Sequence, residues 1–202
     1  MTKSELFHLS PESWLGMQLD SGQQEVISPK KALACECKPN KGDAVPSVLK
    51  ASLEQEMVAI KKLPEVGFAL RCDKIEEKRA KDAREQQLPS VDACIRAGGV
   101  LMLVECKYKA LPETSIVKTI KEFESKVVRK FEASELFYRH EGVNSFLPDR
   151  IVLFNADSKD KVINMFRRLQ LETGGSLLRW YKIMDTADFW MNYESVICCD
   201  LD

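Results

Sequence analysis

Histidine is almost missing from this chain: His8 and His140 are the only two among 202 residues. No pair of cysteines has the two-residue spacing of a zinc knuckle, which argues against a structural zinc centre. No apolar run approaches the ~18 residues that a membrane-crossing helix requires, so the chain is expected to span no membrane. Glycine-rich phosphate loops and dinucleotide fingerprints are absent, which leaves an enzyme of small phosphorylated substrates without support. Excess charge is lacking too: 30 Lys and Arg stand against 31 Asp and Glu, a net charge of −1. A global positive field is thereby excluded, and any nucleic-acid contact has to come from a local patch. No secretory leader opens the chain, and no low-complexity tract interrupts it. The seven cysteines are odd in number and several sit in apolar runs. The expected compartment is therefore reducing: intracellular, cytoplasmic or nuclear, and not secreted.

An apolar share of 45% is enough for a sizeable core, and 30% charged residues solvate the surface. The length fits one domain with a small appendage. Residues 1–45 read as an N-terminal extension packed on the core, and 46–202 as an α/β domain. In the extension, Trp14 and Leu15 anchor a short element, and Ala32 to Cys37 reads as a short strand before Pro39. The stretch Pro39 to Asp43 is a loop. Pro46 or Ser47 starts a helix that Pro64 ends near Leu63. Leu49, Leu53, Met57, Ile60 and Leu63 form its apolar stripe. Glu56 falls inside that stripe, about 20° from Leu49 at about 100° per residue, and a lone buried carboxylate needs a reason.

Val66 to Cys72 reads as a strand, and the charged run Asp73 to Gln87 as a solvated helix or excursion. Two strands, Ser90 to Ile95 and Val100 to Tyr108, flank Gly98-Gly99. Thr114 or Ser115 caps a long helix to Tyr138 with Ile116, Ile120, Phe123, Val127 and Phe131 inward. Ile151 to Phe154 is a continuous apolar run, as in a strand covered on both sides. Asp157 or Ser158 caps a helix through Leu171, ended by Gly174-Gly175. Leu177 to Met184 is a further strand, and the aromatic tail covers an edge. The pattern is α/β with a mixed sheet.

Gly-Gly between two strand-like runs is a two-residue hairpin signal. Ala97 then pairs with Val100, and the ladder sets Asp92 opposite Glu105. Side chains alternate faces, so Asp92, Glu105 and Lys107 project from one side. Two carboxylates across a ladder repel each other, so a fold that keeps them needs positive charge between them. A hard divalent cation with a lysine beside it meets that need.

These residues resemble the PD-(D/E)xK nuclease superfamily over about residues 46–156. Asp92 matches its single aspartate, although Pro89 stands three residues ahead rather than one. Glu105 and Lys107 match its acid-x-lysine, with Cys106 between, and Glu56 matches its first-helix glutamate. The resemblance implies a restriction-endonuclease-like mixed central sheet, an αβββαβ core flanked by helices. It implies Mg²⁺ or Mn²⁺ held by Asp92, Glu105, the backbone carbonyl of Cys106 and Glu56. Lys107 would orient the attacking water, and the substrate would be DNA ahead of RNA. The near-neutral charge suggests either modest affinity or a partner, a homodimer or another protein, that supplies binding. The alternative is a catalytically inactive nuclease-fold module that binds nucleic acid or protein within a complex.

Acid-x-lysine alone is common in so charged a chain. Glu36-Cys37-Lys38 is a second copy, but its partner strand, Asp20 to Val26, is poor. Lys109, Lys118, Lys126 and Arg129 could track phosphates, with Lys121 and Lys130 on the same helix. Glu122, Glu124 and Glu132 share that helix, so an ordinary solvated face fits equally. Lys107 could instead form a cross-strand ion pair, Glu56 could pair inward, and Tyr108 could stack on a base or simply pack.

Overall fold

The structure, a computed structural model, describes residues 27–38, 47–108, 123–140, 145–173 and 181–199. Among these, five strands form one sheet in the order β1-β2-β3-β4-β5. They are β1 (Ala69–Arg71), β2 (Ala93–Ala97), β3 (Val100–Lys107), β4 (Arg150–Phe154) and β5 (Tyr181–Met184). The pairs β1–β2 and β2–β3 are antiparallel, whereas β3–β4 and β4–β5 are parallel. The expected α/β class with a mixed sheet flanked by helices is therefore what the chain adopts. The helices are α1 (Pro29–Glu36), α2 (Ser47–Lys62), α3 (Cys72–Ala83), α4 (Arg129–His140), α5 (Ala156–Thr173) and α6 (Thr186–Cys198). A π-helical turn, Phe123–Val128, leads into α4.

The sheet separates two apolar layers. On one face, Leu101 and Leu103 of β3 and Val152 and Phe154 of β4 pack with Phe123, Val127, Phe131, Val162 and Phe166. On the other, Met102, Val104, Ile151 and Leu153 pack with Leu33 of α1, Leu53 and Ile60 of α2, and Phe189, Tyr193 and Ile197 of α6. Strand β4 is thus buried on both sides, which is why Ile151 to Phe154 runs apolar without alternation. Edge-on contacts of Phe123 with Phe166 (4.7 Å between ring centroids) and of Phe123 and Phe131 with Tyr181 (5.3 and 5.7 Å) tie the first layer together.

Several boundaries differ from the sequence expectation. Ala32 to Cys37 is not a strand: it belongs to α1, where Ser28 accepts a hydrogen bond from the Lys31 N–H at 3.3 Å and Pro29 opens the first turn. Ile27 bridges Ala69 beyond β1, with N–H···O distances of 3.0 and 2.7 Å in the two directions. Residues 27–38 therefore join the core. β1 begins three residues later than Val66, after Gly67 at φ +80, where a Cβ would lie 2.5 Å from Ile197. The charged run after β1 is a helix that buries Ile75, Glu76 and Ala80. Helix α5 is capped by Asn155 instead of Asp157 or Ser158: its side-chain oxygen accepts from the Ser158 N–H at 3.0 Å. The aromatic tail is helix α6, which packs on a sheet face, with Asp185 accepting from the Asp188 N–H at 2.8 Å. The Trp14–Leu15 element, Asp20, the Pro39–Asp43 loop, the Thr114/Ser115 cap, Ile116, Ile120, Gly174–Gly175 and the start of the last strand lie outside the described residues.

No helix among the described residues is long and apolar enough to cross a membrane.

Candidate active site

The hairpin turns on Gly98 and Gly99 at φ +58 and +78. Both values lie in the left-handed region that a two-residue type I′ turn requires. Ala97 pairs with Val100 and Ala93 with Val104. One further step sets Asp92 against Glu105. Asp92 stands just ahead of β2, not within it: its Oδ2 accepts from the Cys106 N–H at 2.7 Å, and its backbone carbonyl accepts from the Cys72 N–H at 3.1 Å. The carboxylate thus stands in for a backbone acceptor where β2 has ended. Val91 is meanwhile drawn toward α4, its N–H donating to the Ser134 hydroxyl at 3.0 Å.

Glu105 follows Leu101 and Leu103 on the α4 face of the sheet and is 0% exposed. Its Oε1 accepts from Lys107 Nζ at 2.5 Å and from Lys130 Nζ at 2.7 Å. Lys130 also reaches Asp92 Oδ1 at 3.4 Å. Glu105 Oε2 is buried and accepts no hydrogen bond among the described residues. Burial pushes the Glu105 carboxyl above the ordinary carboxylate range and repulsion from Asp92 adds to this, against the pull of Lys107 and Lys130. Burial acts on Lys130 in the opposite sense, but the attraction of Asp92 and Glu105 outweighs it and the ammonium is held above its usual range.

Around this pair lies a second tier of charge. Arg71 donates to Asp73 at 3.0 Å and to Glu36 at 3.4 Å. Asp73 Oδ1 is buried without a partner among the described residues. Burial raises the Asp73 carboxyl, Arg71 opposes this, and the field of Asp92 adds to it. Burial also raises the Cys106 thiol well above its usual range, with Asp92, Glu36 and Glu105 adding to it. The acid of the second acid-x-lysine copy thus approaches the site from the end of a helix, not from a strand.

Glu56 was expected beside the acid pair and lies on the other face of the sheet. It is 3% exposed, and its Oε1 accepts from the Thr186 N–H at 3.1 Å. Burial raises its carboxyl, while bonds from Thr186 and the Ala156 N–H oppose the rise. Ala156 and Thr186 open α5 and α6, so the acid satisfies the positive ends of two helices. That supplies the reason an inward glutamate needed. Tyr108 is 1% exposed and shares a 2.7 Å hydrogen bond with Thr186, so it packs and presents no face to a base. Lys126 and Arg129 are exposed on the helical segment that carries Lys130. Lys109, Lys118 and Lys121 lie outside the described residues.

Lys130 is the residue that sequence reasoning left among surface cations. Its signal was present: it lies next to Phe131 of the inward stripe, one helical turn before Ser134, which bonds the strand entry at Val91. Asp73 and Arg71 had no comparable signal.

The donor set suits a hard cation. Asp92 and Glu105 offer carboxylate oxygens on one face, and the orphaned Glu105 Oε2 is an acceptor in need of a partner. Among the described residues no three His, Cys, Asp or Glu side chains converge into a ready cage. Mg²⁺ requires none, since it binds through one or two carboxylates and keeps several waters.

Fold and site together define an α/β protein with a mixed five-stranded sheet that carries a buried acid–lysine cluster where β3 ends. No protein-family model, curated protein or solved structure matches the chain.

Proposed function

We propose that the chain is a metal-dependent nuclease of PD-(D/E)xK type, hydrolysing phosphodiester bonds in DNA ahead of RNA. The observation that carries this reading is the fully buried Glu105, with one oxygen unpartnered among the described residues, one step beyond the Ala93–Val104 pair beside Asp92 and with Lys107 on the same face. The order α2, β1, β2, β3, α4, β4, with α3 inserted between β1 and β2, the first three strands antiparallel and β4 parallel to β3, also supports a restriction-endonuclease-like fold.

Asp92 and Glu105 would hold Mg²⁺ or Mn²⁺. A metal bound there supplies a Lewis acid that neutralises phosphate charge and makes water more acidic. The chain's own contribution is positional. The Cys106 N–H fixes the Asp92 carboxylate from one side, and the apolar layer under Glu105 excludes bulk water. The Lys107 ammonium is aimed by Glu105 Oε1 and can meet the charge that develops on a phosphate oxygen. Glu56 is engaged with two helix ends and takes no part.

The test is a Mn²⁺ titration followed by thermal melting and by nicking of supercoiled plasmid. A ligand that binds only the native state raises the midpoint. The wild type should show both a rise and nicking. Asp92→Ala and Glu105→Ala should lose both, and Lys107→Ala should lose nicking while keeping the rise. A wild type that neither shifts nor nicks ends the nuclease reading.

The second reading is a nuclease-fold module without catalysis, serving as a binding scaffold. One observation favours it: Lys130 already supplies positive charge between the two acids. A wild type that binds DNA or a protein partner and ignores Mn²⁺ would select it.

A further inference from the structure

The two acids face three claims on their charge, and the geometry ranks them. Lys107 extends from β3 itself, two residues beyond Glu105, and touches only Glu105 among the pair. Lys130 comes from a different element, α4, and spans both carboxylates, 2.7 Å from Glu105 and 3.4 Å from Asp92. Both ammonium groups bond the same Glu105 oxygen and leave Oε2 unused. Lys130 is therefore the cation that neutralises the pair as a pair. Its side chain is 26% exposed and that of Glu105 0%, so the lysine has a path to solvent and the acid has none.

Resting on the metal-site reading above, we propose that Lys130 is an exchangeable counter-cation: it neutralises Asp92 and Glu105 until a divalent ion takes its place between them. An ion held by these carboxylates shares its neighbours with the Lys130 ammonium, and two cations so placed in a water-poor site repel each other strongly. One must yield. The lysine can leave along its flexible four-carbon stem into water, where an ammonium is well solvated. The chain then keeps Glu105 compensated while metal is scarce, at the cost of a weaker apparent affinity for the ion.

Direct binding tests this without any turnover. Free Mn²⁺ is followed by its paramagnetic resonance signal as the full chain is titrated, for the wild type, Lys130→Met and Lys130→Arg. Lys130→Met should bind Mn²⁺ more tightly by about tenfold or more, and should melt lower than the wild type without metal. Lys130→Arg, which keeps the charge, should stay near the wild-type affinity. Should Lys130→Met fail to fold, Lys130→Gln keeps a donor for the acids and carries the same expectation. If the wild type binds Mn²⁺ and the neutral variant binds no better, the exchange is wrong and the metal site stands. Absence of Mn²⁺ binding in every form removes both.

Discussion

Alanine at Gly99 isolates the backbone cost of the turn that brings the two acids together. A Cβ there would meet nothing within 4 Å, so no steric term enters. What remains is the left-handed conformation at φ +78. An L-residue other than Gly or Asn pays about 1–2 kcal/mol there, and the stiffer unfolded chain returns about 0.4–1 kcal/mol. Gly99→Ala should therefore destabilise by up to about 1.6 kcal/mol. For a chain of this length, about 2–4 °C accompanies each kcal/mol. Urea unfolding should show a lower midpoint with an unchanged slope. Gly99→Asn should cost less, because Asn tolerates the left-handed region. Gly98→Ala should cost more than Gly99→Ala, because its Cβ would lie 3.0 Å from Cys199 Sγ. A Gly99→Ala protein more stable than the wild type, or an Asn variant weaker than the Ala one, would refute the type I′ turn and with it the acid register.

Asn155 both caps α5 and donates to the Tyr108 carbonyl at 2.7 Å while fully buried. Asn155→Ala should cost about 2–4 kcal/mol, a lost cap plus an orphaned carbonyl, read as a drop in the urea midpoint; a cost near zero would contradict it. The Glu56 carboxyl, raised mainly by burial from an ordinary 4.5, contributes stability that is complete below pH 4.5 and is lost as pH rises through its higher folded value. The wild-type melting point should therefore fall relative to Glu56→Gln as pH climbs from 4 toward neutrality, and a pH-independent gap would exclude this. Alkylation of the native protein should mark the exposed Cys199 well before the buried Cys72 and Cys94. Burial holds the Cys72 thiol well above its usual range. Peptide mass mapping that finds Cys72 modified first would overturn that order.

What the sequence disclosed was local. The Gly98-Gly99 turn and period-two alternation lie within twenty residues, and they set a register that the coordinates reproduce, from Ala97–Val100 to Ala93–Val104. Ile151 to Phe154 was equally legible, since a strand covered on both faces has no polar side to show. Where the reading failed, the deciding partner was distant. Glu56 was rightly seen as buried, but it faces Thr186, 130 residues away, and periodicity carries no word of which helix ends will converge there. Lys130 reads as one more charge on a charged helix until α4 is docked against the sheet. Helix α1 was misread for a different reason: its apolar content suggested a strand, while Ser28-Pro29 at its start is a helix-start signal.

One bond inside the hairpin ties architecture to ligand occupancy. The Cys106 amide proton is satisfied by a side-chain oxygen of Asp92, where a neighbouring strand would ordinarily provide a peptide carbonyl. The cation side of that carboxylate is its other oxygen, Oδ1, which Lys130 approaches, so a ligand there leaves the Cys106 bond in place and pins its acceptor. Deuterium uptake at this single backbone position would then slow on loading, while amides deeper in β3, paired to main-chain carbonyls, would hold their rates. The molecule thus carries its own spectator of occupancy, readable without a substrate.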